Sequence, residues 1–216
     1  MSIPKIIHYC WFGGGTISPE NRKYMESWKK YCPDYKIIEW NEQNFDISTN
    51  RYAQQAYEAK KYAFVSDYVR LAVLYEYGGI YLDTDVELVR PLDELLEYKG
   101  FIGMEHSAPS PYGRTLLVNT GSGVGAEPGC EMIGKMLAGY RNAAFIQETG
   151  EPDLRACTQR DTPLFTKAGL QQKNEQQELD GFLVLPTDCF SPFDYVTERM
   201  HRTPRTFGIH YYQGSW

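Results

Sequence analysis

Short apolar runs alternate with longer segments of helical period along this chain. Residues 3–11 (IPKIIHYCW) read as a buried strand that ends at Gly13-Gly14-Gly15. Ser18 followed by Pro19 supplies an N-cap and a first helical residue, which predicts a helix to about Tyr31. Asp34–Trp40 (DYKIIEW) gives a second strand. Residues 51–77 repeat Ala, Tyr, Val and Leu at spacings of three and four, predicting helix in two pieces stopped by Gly78-Gly79. Ile80-Tyr81-Leu82 is a short strand leading into Asp83-Thr84-Asp85, followed by a strand over Val86–Val89.

The later chain offers short strands at Phe101–Met104 and Leu116–Val118, a helix at Cys130–Arg141 and another at Pro163–Gly169. A polar surface run follows over Gln171–Glu178, and then strands at Phe182–Leu185 and Thr206–His210. Strands alternating with helices predict an α/β sheet. With no linker composition anywhere, the 216 residues read as a single domain, 1–216.

Composition adds one oddity. Seventeen Tyr, ten Phe and four Trp make 14% of the chain aromatic, a composition that fits either a Tyr-rich core and rim or a surface for stacking on sugars or bases. The charge balance, 22 basic against 28 acidic residues, disfavours nucleic acid as a partner, because a duplex binder meets phosphates with a basic excess. A small anionic ligand stays open if a metal ion or a local site supplies positive charge. Five scattered cysteines, odd in number and without a C-x-x-C, point to thiols in a reducing compartment. The opening MSIPKIIHYCWF does not read as a secretory signal, and no apolar run approaches the ~18 residues of a membrane span.

Candidate chemistry concentrates in residues 66–85, SDYVRLAVLYEYGGIYLDTD. Asp83 and Asp85, an i, i+2 pair in extended geometry, point to one face. Paired carboxylate oxygens there suit Mg²⁺ or Mn²⁺ shared with a diphosphate, although acidic turns are also common without any ligand. Asp67 and Arg70 share a helix face one turn apart. That spacing fits a surface ion pair as well as it fits a pair meeting sugar and phosphate.

The run SDYVRLAVLYEYGGIYLDTDV, with the opening IPKIIHYCWFGG and the closing HYYQGSW, resembles the DXD-containing sugar transferases, glycosyltransferase family 32. That family includes fungal mannosyltransferases and bacterial capsule or lipopolysaccharide enzymes, and it is related to the catalytic domains of clostridial glucosylating toxins. The resemblance implies a GT-A fold, an α/β nucleotide-binding sandwich, with retaining, metal-dependent sugar transfer. By position, Trp11 would stack on the nucleotide base with Tyr9 and Phe12 around it. Ser66, Asp67 and Arg70 would hold the donor sugar and diphosphate, and Tyr81 and Asp83 would contact nucleotide or sugar. Asp85 would ligate Mn²⁺ or Mg²⁺ with His210, while Ser215 and Trp216 would close over the diphosphate.

Asn119 resembles a position near the donor sugar, at the head of NTGSGVGAEPG (119–129), which reads as an active-site loop rather than a dinucleotide fingerprint. In RDTPLF (160–165), Asp161-Thr162 stand where relatives have Thr-Gly, leaving an acceptor-side role open. Glu105-His106 has no partner at metal-site spacing and reads as local structure. No carboxylate stands out as a nucleophile, which favours same-face attack.

The expected donor is a nucleotide-diphosphate sugar of UDP-galactose or UDP-glucose type. The expected acceptor is a glycan or lipid-linked oligosaccharide in capsule, lipopolysaccharide or exopolysaccharide synthesis. A cytoplasmic location with peripheral contact at the inner face of the cell membrane goes with it, and the ending on Trp216 fits a natural chain that continues further. Two competing readings are a haloacid-dehalogenase-like phosphohydrolase, using the same strand-end D-x-D, and a non-catalytic sugar-binding module.

Overall fold

The computed structural model describes residues 2–214, so Ser215 and Trp216 lie outside the described residues. Its centre is a seven-stranded mixed sheet in the order β2-β1-β3-β6-β5-β8-β7. The strands are β1 (Ile6–Cys10), β2 (Lys36–Trp40), β3 (Gly79–Tyr81), β5 (Gly100–His106), β6 (Leu116–Ala126), β7 (Gln177–Leu179) and β8 (Phe182–Leu185). β1 runs parallel to β2 and β3, whereas β6 is antiparallel to both β3 and β5. Two small ribbons stand outside the sheet. One pairs β4 (Val86–Leu88) with β11 (Gly208–His210), and the other pairs β9 (Phe193–Asp194) with β10 (Arg199–Met200).

Alternate strand residues face opposite sides, and the core divides accordingly. Ile7, Ile80, Phe101 and Leu183 pack on the side of helix α1 (Pro19–Tyr31), where Trp28 is fully buried and its Nε1 donates to Val86 O at 2.8 Å. Tyr81, Ile102 and Val184 pack on the other side, against α2 (Arg51–Glu58), α3 (Tyr62–Tyr77), α4 (Glu131–Ala138) and α5 (Cys157–Lys167). A short helix, α6 (Thr187–Phe190), closes the first core with Phe190.

Local chemistry explains most boundaries. Ser18 Oγ accepts from Asn21 N at 3.0 Å with Pro19 in the first turn, so α1 begins where the cap predicts. Gly78 ends α3 at φ +65°, and a Cβ there would lie 2.6 Å from Pro128 Cδ, so only glycine fits. The helix expected at Pro163–Gly169 begins earlier, at Cys157, and carries Pro163 inside it. The Gln159 side chain caps its start by accepting from Ala156 N at 3.2 Å.

The main correction concerns residues 119–129. They do not form a loop: through Ala126 they belong to the eleven-residue strand β6. Gly121, Gly123 and Gly125 fall at the period of a strand face, and added Cβ atoms would meet Asp83, Phe190 and Phe101 at 2.1, 2.6 and 2.3 Å respectively. Pairing with β5 jumps from Ile102↔Val124 to Gly103↔Asn119, so residues 120–123 bulge out of register toward Asp83.

Candidate active site

The first half of the site is set by α3. Asp67 and Arg70 lie one turn apart, and both are buried rather than on the surface. Arg70 Nη2 meets Asp67 Oδ1 at 2.9 Å and Asp83 Oδ1 at 3.6 Å. Its Nε donates to Ser66 O at 3.1 Å and its Nη1 to Thr120 Oγ1 at 3.2 Å, while the guanidinium sits 4.8 Å from the centre of the Tyr81 ring. A guanidinium held on so many sides has one orientation. Burial works against its charge, but Asp83 and Asp67 hold it protonated. Burial also pushes Asp67 up to about 6 against the pull of Arg70. Ser66 stays behind this pair, its Oγ turned to Tyr62 O at 3.1 Å.

The second half is the Asp83–Asp85 segment. Its two carboxylates are brought together by a turn rather than by extended alternation, because Val86 N bonds back to Asp83 O at 3.1 Å. Asp83 is further fixed by Tyr81 OH at 3.0 Å and by its own N–H on Gly121 O at 2.9 Å. Residues 211–213 then lie against this turn. Tyr211 N donates to Asp85 O at 3.1 Å and Gln213 N to Asp85 Oδ2 at 2.9 Å.

His210, opposite Val86 in the β4–β11 ribbon, brings Nε2 to 3.4 Å from Asp85 Oδ1. Although burial opposes its charge, the Asp85 carboxylate raises the pKa of this imidazole, and His210 in turn lowers that of Asp85 against the effect of burial. Asp85 Oδ1 and His210 Nδ1 are buried without a hydrogen-bond partner. Asp83, Asp85 and His210 each offer a ligand atom, all within 4.8 Å of one another. Orphaned buried acceptors cost free energy unless something completes them, and this donor set fits a divalent cation.

A cavity of about 310 Å³ opens over these groups, lined by Asp67, Arg70, Asp83, Asp85, Asn119 and His210, with Glu105, Tyr195 and Tyr212 on the same wall. The sequence reading set Glu105 aside. Here it is buried, its Oε2 accepting from Asn119 Nδ2 at 2.5 Å and from Tyr212 OH at 3.0 Å, while Oε1 has no protein partner among the described residues. Burial raises its carboxyl pKa. The signal that could have found it is strand continuity, since Glu105 directly follows the apolar run Phe101–Met104 in one buried strand. Asp161, whose acceptor-side role the sequence leaves open, is buried in α5 and does not line this cavity. It is 2% exposed, has Oδ2 unpartnered and is pushed up to about 7 by burial and by Asp67.

The N-terminal residues stand apart from this cavity. Tyr9 turns its side chain into the α1 side, where OH donates to Glu39 Oε2 at 2.6 Å. Phe12 is core. Trp11 is half-buried just past β1, with Nε1 donating to Gly15 O at 2.6 Å. The three continue the strand next to β3 and its acidic turn, but none of them lines the cavity.

Residues 18–102 match the family described as the glycosyltransferase sugar-binding region containing the DXD motif. Inositol phosphoceramide mannosyltransferase 3 of Schizosaccharomyces pombe is 34% identical over 116 residues, which are 47% of this chain and 29% of that protein. An uncharacterized glycosyltransferase of Acanthamoeba polyphaga mimivirus is 35% identical over 100 residues, 44% of this chain and 40% of its own. The match thus spans less than half the length of these curated relatives. Among solved structures, PaToxG glycosyltransferase superposes with a TM-score of 0.54 at 24% identity, over 77% of this chain and 68% of its own. The sheet with flanking helices is the GT-A architecture of such enzymes. Residues 18–102 thus resemble the DXD region of sugar transferases, set in a chain with the fold of PaToxG glycosyltransferase.

Proposed function

We propose that this chain is a retaining glycosyltransferase that moves a hexose from a nucleotide-diphosphate sugar to a hydroxyl of a glycan. The observation that carries the reading is the buried Asp83–Asp85–His210 cluster, with its orphaned acceptor, placed beside the locked guanidinium of Arg70. Two carboxylates and an imidazole would hold Mn²⁺ or Mg²⁺, the imidazole favouring Mn²⁺. When bound, such an ion neutralises charge on a leaving diphosphate.

The chain's own groups supply the rest. Arg70 offers preorganised positive charge to the diphosphate in a site it need not rearrange to reach. Asp67 accepts from a donor-sugar hydroxyl, and Trp11 gives the base a flat apolar face. Asn119, clamped between Glu105 and the Gly121 N–H at 2.7 Å, fixes the sugar side of the cavity. The open Oε1 of Glu105 can accept from an incoming hydroxyl there. UDP-galactose and UDP-glucose are the donors we favour. The inositol phosphoceramide mannosyltransferase names of three relatives bring GDP-mannose in as the competitor. A glycan or lipid-linked acceptor, at a cytoplasmic membrane face, completes the reading.

Asp85→Asn tests it. The variant keeps a carbonyl acceptor for Gln213 N but loses the charge facing His210. Transfer should fall at least about a hundredfold, as when one preorganised charge is lost, with the circular dichroism spectrum unchanged. Full activity in a folded Asp85→Asn chain would remove the proposed ion from the mechanism.

A further inference from the structure

Large apolar side chains left in solvent are unevenly distributed. Of the seven that are exposed among the described residues, four sit on two neighbouring protrusions: Tyr112 on the β5–β6 connection, and Tyr195, Val196 and Met200 on the β9–β10 hairpin. Tyr112 is 99% exposed, and Val196 and Met200 are 40% and 45% exposed. An Arg114–Asp194 ion pair ties the two protrusions together. Between them lies a cavity of about 420 Å³ that shares Tyr195 and Tyr212 with the candidate active site. Tyr195 therefore places the β9–β10 hairpin at the edge of the site.

Charge is uneven in the same place. Residues 107–115 and 193–205 carry four arginines against two carboxylates, in a chain with a net charge of −6. Arg114 and Arg205 are paired, with Asp194 and Asp188. Arg199 and Arg202 are exposed and make no ion pair among the described residues, and His201 stands exposed between Met200 and Arg202. Asp194 is held by Arg114 and lowered to about 2, which leaves the exposed Glu198 as the one carboxylate set against Arg199 and Arg202 on these segments. Isolated exposed apolar residues need no explanation, but a cluster of them rimmed by unpaired arginines does.

We infer that these two protrusions form a docking face for an anionic lipid surface, holding the edge of the site against it. Apolar and aromatic tips enter the headgroup boundary, while arginines meet lipid phosphates. An acidic glycan would use the arginines but would gain nothing from Val196 and Met200 in solvent. The interaction does not depend on the reaction proposed above, so binding can be measured without any transfer assay.

The test is co-sedimentation of the full chain with vesicles of phosphatidylcholine alone and of phosphatidylcholine mixed equally with phosphatidylglycerol. Binding to the mixed vesicles at about 0.1 M salt is expected, with little at about 1 M, where screening is nearly complete. Binding to phosphatidylcholine alone should be at least about tenfold weaker. The pair Arg199→Glu with Arg202→Glu, and separately Val196→Asp with Met200→Asp, should each lower partitioning about tenfold or more. All four positions are exposed, so both variants should keep the parent's melting temperature. No binding to the mixed vesicles, or undiminished binding by either folded variant, would overturn the inference. Retention on an anionic polysaccharide resin without vesicle binding would also overturn it, by assigning the face to an acidic glycan.

Discussion

Arg70 shows how one side chain can organise a site. Its planar fork reaches Asp67, Asp83, Thr120 and the Ser66 carbonyl at once, a geometry that a lysine could not copy. Spacing in the sequence put Asp67 and Arg70 on one helix face but left an exposed ion pair equally open. Burial is what separates the two readings, and burial comes from the whole fold. The neighbouring glycine is as constrained. A Cβ on Gly121 would lie 2.1 Å from Asp83 Oδ2 and 3.2 Å from Arg70 Nη1. Gly121→Ala should therefore displace the Asp83 carboxylate, cost about 1–3 kcal/mol of stability and weaken Mn²⁺-dependent nucleotide binding at least about tenfold. Titration calorimetry beside a thermal melt checks both numbers, and unchanged affinity would detach Asp83 from the ligand.

At the scale of elements, strand β6 is the informative case. Glycine spacing read as G-x-G-x-G looks like a loop because glycine is poor in strands. In this sheet the same spacing spares one strand face its side chains, so that Asp83, Phe190 and Phe101 can close against the backbone. Only the neighbours, distant in sequence, reveal this. Caps and stops needed no such help: Ser18-Pro19, Gly78 and the short run Ile80–Leu82 were legible because the residues that decide them are local.

The site divides along the same line. Asp83, Asp85, Asp67 and Arg70 were visible in one continuous stretch, whereas Glu105 enters only when β5 is brought to that stretch by the sheet. Gly125→Ala tests the reading of β6. Its Cβ would meet the fully buried Phe101 at 2.3 Å, so a loss of about 1–3 kcal/mol is expected. At about 2–4 °C per kcal/mol for a chain of this size, the melting temperature should drop visibly. Gly15→Ala, with no atom within 4 Å of the new Cβ, should leave it unchanged.

Across the whole molecule, one buried histidine ties the sheet to the site. His8 Nε2–H donates to Gly78 O at 2.8 Å while its Nδ1 accepts from Trp40 Nε1 at 3.0 Å, so the folded chain holds the neutral ring between β2 and the turn leading to β3. Burial lowers its pKa from 6.5 to about 4. A base whose pKa falls on folding binds fewer protons in the native state, so its contribution is complete above pH 6.5. It is lost as pH drops toward about 4, by about 3 kcal/mol in all. Asp67 and Asp161, raised to about 6 and about 7, work the other way, their cost appearing as pH rises. That opposing term is common to the parent and a His8→Gln variant. Urea melts between pH 7 and 4 should then give the variant a shallower loss of stability than the parent, and equal slopes would mean that His8 is not held neutral.

The aromatic richness also resolves at this scale. Most rings fill the two cores, as in the Phe101–Phe190–Phe207 stack, and a minority line the site or stand in solvent beside it. A net charge of −6 is compatible with an anionic donor, because Asp83 and Asp85 can turn two carboxylates into a cation site beside Arg70.

The most direct measurement of the central claim is calorimetric titration of UDP and GDP into the chain, with Mn²⁺ and then with excess chelator. A nucleotide diphosphate should bind with Mn²⁺ present, at least about tenfold more weakly without it, and not measurably to Asp85→Asn. Failure of both nucleotides to bind with Mn²⁺, or equal binding with chelator, would contradict a metal-dependent sugar-nucleotide site.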